Sequence, residues 1–456
     1  MCCSRLVVLP ALLILTAAAA VSSVGDAEYV ALRRMIGQER YNDAITTCID
    51  LIRDHPEVLS LYEALPEVAQ YAGRIDKAVA FFESRVEDGT ALPLVYYGLG
   101  TAFYSKHDYR TAVVYFNNAI EAGNSTAECY RGLEYAYEKL EGLDAATRYF
   151  NLLCHRDPQN PNNWYGLALA YWTRQDYDRV KSCLSEALAR RPGERRYIQA
   201  QVAAAYLRGE TDSVVGRMST LIATASEELD FGGKEFLKSF VVIGHFNRDR
   251  YQSAMQTIEE IINDSKTYGY LRWLGWGYKR MSDVKFLMGE YQLAITFAKE
   301  AAAVAEKVGD EELILAALSR QFEVYSEIGD YYDALETAYM ERNATQKEEV
   351  SRECIRPLVD IACALHDMGS DDIALEFAIE ALGKCETLKT DSRLLYQIQM
   401  CLGLIYEGLE SFDESVRHFK LAADLIPVDN FWARNIAVCL GHLGRALLRV
   451  KKYSDA

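Results

Sequence analysis

An all-α solenoid built from antiparallel helix pairs is the fold class this sequence predicts, on three observations. One two-residue mark recurs twelve times between Tyr41 and Tyr453 at a nearly constant period. The residues around each mark carry apolar side chains at helical spacing. Half of the 456 residues are apolar and only 9 are Pro, which suits continuous helices and excludes a disordered chain.

Each mark pairs an aromatic residue, or a substitute, with Ala, Val or Ser three positions later. The series runs Tyr41/Ala44, Ile75/Ala78, Tyr109/Ala112, Leu143/Ala146, Tyr177/Val180, Thr211/Val214, Tyr251/Ala254, Tyr291/Ala294, Tyr331/Ala334, Asp371/Ala374, Phe412/Ser415 and Tyr453/Ala456. Its first members step by 34 residues five times, by 40 four times and by 41 twice. A fixed period of this size marks a repeat array, in which no unit buries its apolar face alone. The period divides the chain into 26–226, six units of 34 residues, and 227–456, six units of 40–41 residues with the last incomplete.

Every unit reads as two helices. In the clearest, Trp164, Leu167, Ala168 and Tyr171 share one face of a first helix, and Val180, Leu184 and Ala187 form the stripe of a second that Pro192 closes. Further copies are Tyr96, Leu99, Gly100 and Phe103 with Ala112, Phe116 and Ala119, and Gln399, Leu402, Gly403 and Tyr406 with Ser415, Phe419, Ala422 and Pro427. Pro66 and Glu134 stand where a first helix wants a small residue, so distortion without loss of register is expected there. The extra residues of the longer units are expected mainly after the core stripe of the second helix, as in 294–308. At the seam, 225–234, Gly232-Gly233 is expected to stop a helix. Just beyond it, Tyr268, Tyr270, Trp273, Trp276 and Tyr278 form either a binding patch or a repacked junction. In the twelfth unit Leu440, Leu443, Gly444 and Leu447 keep a packing register and the second helix stops at Ala456, so a further segment is expected to cover Leu443 and Leu447.

These units resemble the tetratricopeptide repeat over about residues 25–456, and the longer ones resemble variants found in kinesin light chains and in bacterial signalling proteins. The resemblance implies a right-handed superhelix whose first helices line a concave face. Counted from unit starts at 93, 127, 161 and 195, the second, fifth, ninth and twelfth positions face the groove. They nominate Tyr97, Thr101, Tyr104, Arg131, Tyr135, Tyr165, Trp172 and Tyr206 as a peptide-binding groove. Its aromatic rings would give large contact area to an extended or helical peptide, and Arg131 would take a carboxylate. Twelfth-position aromatics often pack in this family, which sets Tyr104, Trp172 and Tyr206 apart from Tyr97, Tyr135 and Tyr165. Chaperone-binding members carry Lys at the fifth and Asn at the ninth position. Here those places hold Tyr97/Thr101, Arg131/Tyr135 and Tyr165/Leu169, so that clamp is absent.

Composition narrows the partners. The net charge of −17 repels phosphate backbones and anionic lipid, which argues against nucleic acid and peripheral membrane binding. Residues 1–25 read as a secretory signal peptide: Arg5 precedes the apolar run Leu6 to Ala20, and small residues follow. The expected location is secreted or periplasmic; an uncleaved membrane anchor facing outside is the alternative. Eleven Cys are scattered without a C-x-x-C, and no His stands at metal-ligand spacing beside them, so neither a metal nor a cofactor is expected. Most of the thiols are expected to fill helix contacts, with one or two disulfides left open. No phosphate loop, H-E-x-x-H or G-x-S-x-G occurs, and no small-molecule substrate is evident. The expectation is a non-enzymatic scaffold for protein or peptide partners; the alternative is the sensing arm of a longer enzyme, such as a caspase-like protease, nucleotide cyclase or histidine kinase.

Overall fold

The computed structural model describes residues 26–89, 92–207, 217–223, 231–246, 248–345, 352–388, 392–425 and 433–450, and every element among them is a helix. The first stretch holds α1 (Asp26–Gly37), α2 (Tyr41–Asp54), α3 (Leu59–Tyr71), α4 (Ile75–Glu87), α5 (Leu92–Ser105), α6 (Tyr109–Glu121), α7 (Ala127–Glu141), α8 (Leu143–Arg156), α9 (Pro161–Thr173), α10 (Tyr177–Arg190) and α11 (Arg195–Leu207). A short helical segment, α12 (217–223), follows. The longer units hold α13 (Phe231–Phe246), α14 (Tyr251–Tyr268), α15 (Leu271–Leu287), α16 (Tyr291–Val308), α17 (Glu311–Ile328), α18 (Tyr331–Ala344), α19 (Arg352–Asp367), α20 (Asp371–Leu388), α21 (Ser392–Gly408), α22 (Phe412–Asp424) and α23 (Ala433–Arg449). Successive helices pair antiparallel as an α-solenoid.

Every mark on described residues opens a second helix: Tyr41, Ile75, Tyr109, Leu143, Tyr177, Tyr251, Tyr291, Tyr331, Asp371 and Phe412 are first residues of the even-numbered helices other than α12. Thr211 and Tyr453 lie outside the described residues. The small residue three positions on has 0% exposure at each, from Ala44 to Ser415, because two backbones meet there. Two residues before nearly every mark the chain turns through left-handed φ, at Glu39, Gly73, His107, Gln175, Asp249, Gly289, Gly329, Gly369 and Glu410. That residue ends the first helix with a six-residue closing bond, such as Arg74 N to Ala69 O at 2.7 Å and Asp176 N to Tyr171 O at 3.1 Å. The α7–α8 turn departs from this form, with Gly142 alone between the helices.

Aromatic rings seat into glycine hollows between helices. A Cβ on Gly98 would fall 2.6 Å from the Phe82 ring, on Gly132 2.6 Å from Phe116, on Gly166 2.1 Å from Phe150, and on Gly403 2.5 Å from Phe419. Each of these Phe stands seven residues after its mark. In the longer units marked by Tyr251, Tyr291, Tyr331 and Asp371 that place instead holds the buried Ile258, Ala298, Ala338 and Ala378.

Three expectations are corrected. Gly232-Gly233 does not stop a helix but lies in the first turn of α13. The added length of the later units is shared by both helices: the first helix α17 and the second helices α14, α16 and α20 each reach 18 residues, against 13 in α9 and α6. In α23 the inward register is Cys439, Leu443, Ala446 and Leu447, while Leu440 is 51% exposed. Leu443 and Leu447 pack with Val416 and Phe419 of α22, so Leu447 is already covered.

The distorted positions hold their places. Pro66 lies buried inside α3 without ending it, and Glu134 is fully buried in α7. The nine described cysteines are free thiols, with Cys363 and Cys401 sulfurs 3.5 Å apart. Residues 1–25, and with them the signal-peptide expectation, lie outside the described residues. No described helix is long and apolar enough to cross a membrane.

The chain forms two compact units, one through Gly277 and one from Tyr278 onward. The change of repeat length at 226 falls inside the first. In the first unit the array returns on itself, because α1 packs against α14 as well as α2. In the second, a continuous core runs from Ala294 and Ile295 through Phe322, Ala334, Leu358 and Ala374 to Ile398 and Ile405.

Candidate functional site

The first helices of the first unit place equivalent residues 34 apart on one face, so chemistry accumulates in ladders. The fifth positions carry Tyr29, Glu63, Tyr97, Arg131, Tyr165 and Gln199; the ninth carry Arg33, Glu67, Thr101 and Tyr135. Between α3, α5, α7 and α15 these ladders line a solvent-open cavity of about 110 Å³. Its walls include Glu63, Glu67, Tyr71, Tyr97, Thr101, Tyr104, Glu128, Arg131, Tyr135 and Arg272.

Glu63 and Arg131 are the polar centre. Both are buried, at 8% and 6% exposure, and Arg131 Nη2 stands 3.6 Å from Glu63 Oε1. The Tyr97 hydroxyl donates to the same Glu63 oxygen. Glu63 Oε2 and Arg131 Nη1 have no hydrogen-bond partner. An unmet buried acceptor and donor are costly, and here they stand on groups that line one cavity. Burial pushes the Glu63 carboxyl up to about 7, and Arg131 pulls against that shift. Glu128 is held below the usual carboxylate range although burial opposes this, because Arg196, at 2.9 Å, and Arg131 favour its charge. Glu67 accepts from the Tyr71 hydroxyl at 2.7 Å and from Arg33 Nη1 at 2.6 Å.

The eight nominated groove residues divide. Tyr97, Thr101, Tyr104, Arg131 and Tyr135 line the cavity. Tyr165 is 1% exposed and lies against the Tyr197 ring, with centroids 4.9 Å apart. Trp172 packs edge-on to Phe240 of α13, and Tyr206 fills the space beside Gly244. Those three are covered by neighbouring helices rather than open to a partner. The sequence reading missed Glu63, Glu67, Tyr71, Glu128 and Arg272. Glu63 and Glu67 were within its reach, since the same register extends back to unit starts at 25 and 59. Arg272 was not, since only the return of the array on itself brings α15 to α3.

The aromatic cluster after the seam is packing: Tyr270, Trp273, Trp276 and Tyr278 are all buried. The second unit carries its own charged ladder, in which Asp283 bonds Arg320 of the next first helix and Glu323 bonds Arg320 and Arg356. No cluster of metal-ligating side chains occurs among the described residues.

No family model matches the sequence. No curated protein matches it either. Solved structures do match. A Signal Transduction ATPase with Numerous Domains protein with a tetratricopeptide repeat sensor, from Pyrococcus horikoshii, aligns at 14% identity with a TM-score of 0.55 over 78% of this chain and 55% of that one. The chain therefore spans just over half the length of that protein. Yeast Tom70 aligns at 14% identity and TM-score 0.44 over 93% of this chain and 97% of its own. A human IFIT1 dimer with m7Gppp-AAAA aligns at 14% and 0.46 over 88% and 96%. The repeat register, the helix pairing and the likeness to the Pyrococcus protein give this chain the fold of a tetratricopeptide-repeat solenoid.

Proposed function

We propose that the chain is a non-catalytic interaction scaffold and that its first unit holds a peptide segment of a protein partner in the cavity between α3, α5, α7 and α15. One observation carries this reading: the unpartnered Glu63 Oε2 and Arg131 Nη1 in a tyrosine-walled cavity. A peptide unit offers an N–H for the first and a carbonyl for the second, while Tyr104 and Tyr135 give it aromatic contact at little entropic cost. The acidic surface disfavours nucleic acid as the partner.

The test uses the half-buried wall residues and leaves Tyr97 and Tyr165 alone, since their burial makes truncation a folding question. Peptides selected from a displayed random library are expected to bind the wild-type protein. The Tyr104→Ala/Tyr135→Ala variant is expected to bind them at least about tenfold more weakly with an unchanged melting midpoint. Failure to select any peptide, or equal binding by the variant, sinks the reading.

The Pyrococcus protein, a signal transduction ATPase with a tetratricopeptide repeat sensor, supports a second reading in which this array senses for an attached domain. The leader-like residues 1–25 support a location outside the cytoplasm, which N-terminal sequencing of the mature protein checks: an intact Met1 overturns cleavage.

A further inference from the structure

The cavity takes one lining residue, Arg272, from across the closure of the first unit, and α1 makes that closure by packing on α14. Arg33 of α1 is 1% exposed, and two of its three guanidinium nitrogens reach across the seam between α1 and the end of α14. Its Nε donates to Tyr268 O at 3.0 Å and its Nη2 to Gly269 O at 3.3 Å, both 235 residues or more away in sequence. Its Nη1 donates to Glu67 at 2.6 Å, and its carbon lies 3.8 Å from the centre of the Tyr270 ring. Beside it the backbones touch. A Cβ on Gly37 would fall 2.5 Å from Lys266 O and 2.6 Å from Thr267 O, and one on Gly269 would fall 2.6 Å from Gly37 N.

The residues at this seam are also cavity residues. Glu67, which holds Arg33, lines the cavity together with Tyr71, which bonds it. Arg272, three positions beyond Gly269, reaches the cavity from the first turn of α15.

We propose that α1 is a clasp: its docking on α14 completes the partner cavity, and clasp closure and cavity occupancy are thermodynamically coupled. The coupling half of this rests on the cavity being the partner site. A partner that touches Arg272 and the α3–α7 walls together binds the closed unit better than the open one. By reciprocity it then holds the clasp shut to the same degree. A chain too long to thread the closed unit enters while α1 is undocked.

The test opens the clasp in two chemically different ways. Arg33→Gln removes the charge and the fork, and Gly37→Ala adds one methyl against two carbonyl oxygens while favouring the helix itself. Arg34→Gln, on the exposed side of α1, is the control. Spin labels at Asn42→Cys in α2 and Asn263→Cys in α14, both exposed, straddle the seam. The expected result is a single narrow label distance in the wild type and the control, and a broadened, longer distribution in both clasp variants. Hydrogen exchange in α1 is expected to quicken at least about tenfold in the clasp variants. Unchanged distances and exchange in both overturn the clasp, whatever the cavity binds. For the coupling, a library-selected peptide is expected to bind Gly37→Ala about tenfold more weakly and to narrow its distance distribution. Equal affinity with an open clasp overturns the coupling and leaves the cavity as a site.

Discussion

Asp283 sits 1% exposed among three cations, with Lys279 Nζ at 2.9 Å, Arg280 Nη1 at 3.2 Å and Arg320 Nη2 at 2.8 Å. Burial alone would raise its pKa, yet Lys279, Arg320 and Arg280 together hold the carboxyl down at about 2. Removing one member of such a cluster costs more than the pair was worth, because the remaining charges stay buried without compensation. Asp283→Ala is therefore expected to destabilise the second unit by about 3–5 kcal/mol, measured by urea unfolding. A loss under about 1 kcal/mol would mean that water already solvates the three cations. None of this was legible beforehand. Asp283 has the composition of a solvated helix face, and only the 40-residue step that brings Arg320 alongside it shows otherwise.

Helix pairs were the most legible level, for a physical reason. A solenoid repeats one contact, so a small residue required at one helix crossing is required at each, and Ala44 to Ser415 mark the crossings in sequence. The left-handed turn was less legible, because Glu39, His107, Gln175, Asp249 and Glu410 occupy a place that glycine fills elsewhere. The site was half legible: the register located Tyr97, Thr101, Tyr104, Arg131 and Tyr135, but which of its aromatics stay uncovered depends on α13 and α15. The ring-on-glycine contact is testable as a unit. Gly166→Ala improves helix propensity by about 1 kcal/mol, but its methyl would stand 2.1 Å from the Phe150 ring. The net expectation is a loss of about 1–3 kcal/mol, relieved by Phe150→Leu in a double-mutant cycle. Additive effects in that cycle would show that the two side chains do not compete for the same space.

Over the whole molecule, buried carboxylates set the sign of the pH dependence. Burial raises Glu235 to about 8, with Lys238 opposing, and Glu63 to about 7, with Arg131 opposing. Glu134 moves well up through burial and the neighbouring Glu138. Burial raises buried Glu341, with repulsion from Asp360 adding to it, and burial raises Asp360, with Arg356 opposing and Glu323 adding to it. Between the ordinary carboxylate range and about pH 8 the folded chain thus keeps protons that the unfolded chain has released. Stability then falls as pH rises through that window. Asp283, Glu128 and Asp264 shift the other way, and their contribution is lost only as pH falls below the ordinary carboxylate range. The net charge of −17 adds repulsion as pH rises, so a falling curve alone is not diagnostic. Glu235→Gln separates the two causes. Glu235 is fully buried with neither oxygen hydrogen-bonded, so the neutral amide should remove its share of the slope. That share is roughly 1.4 kcal/mol for each pH step over which the folded chain alone holds the proton. Glu83→Gln, equally one charge fewer but exposed, should leave the slope nearly unchanged. The measurement is the urea midpoint at pH 5 and at pH 8 for the wild type and both variants. Equal slopes in the two variants would assign the effect to net charge and remove the buried carboxylates as its cause.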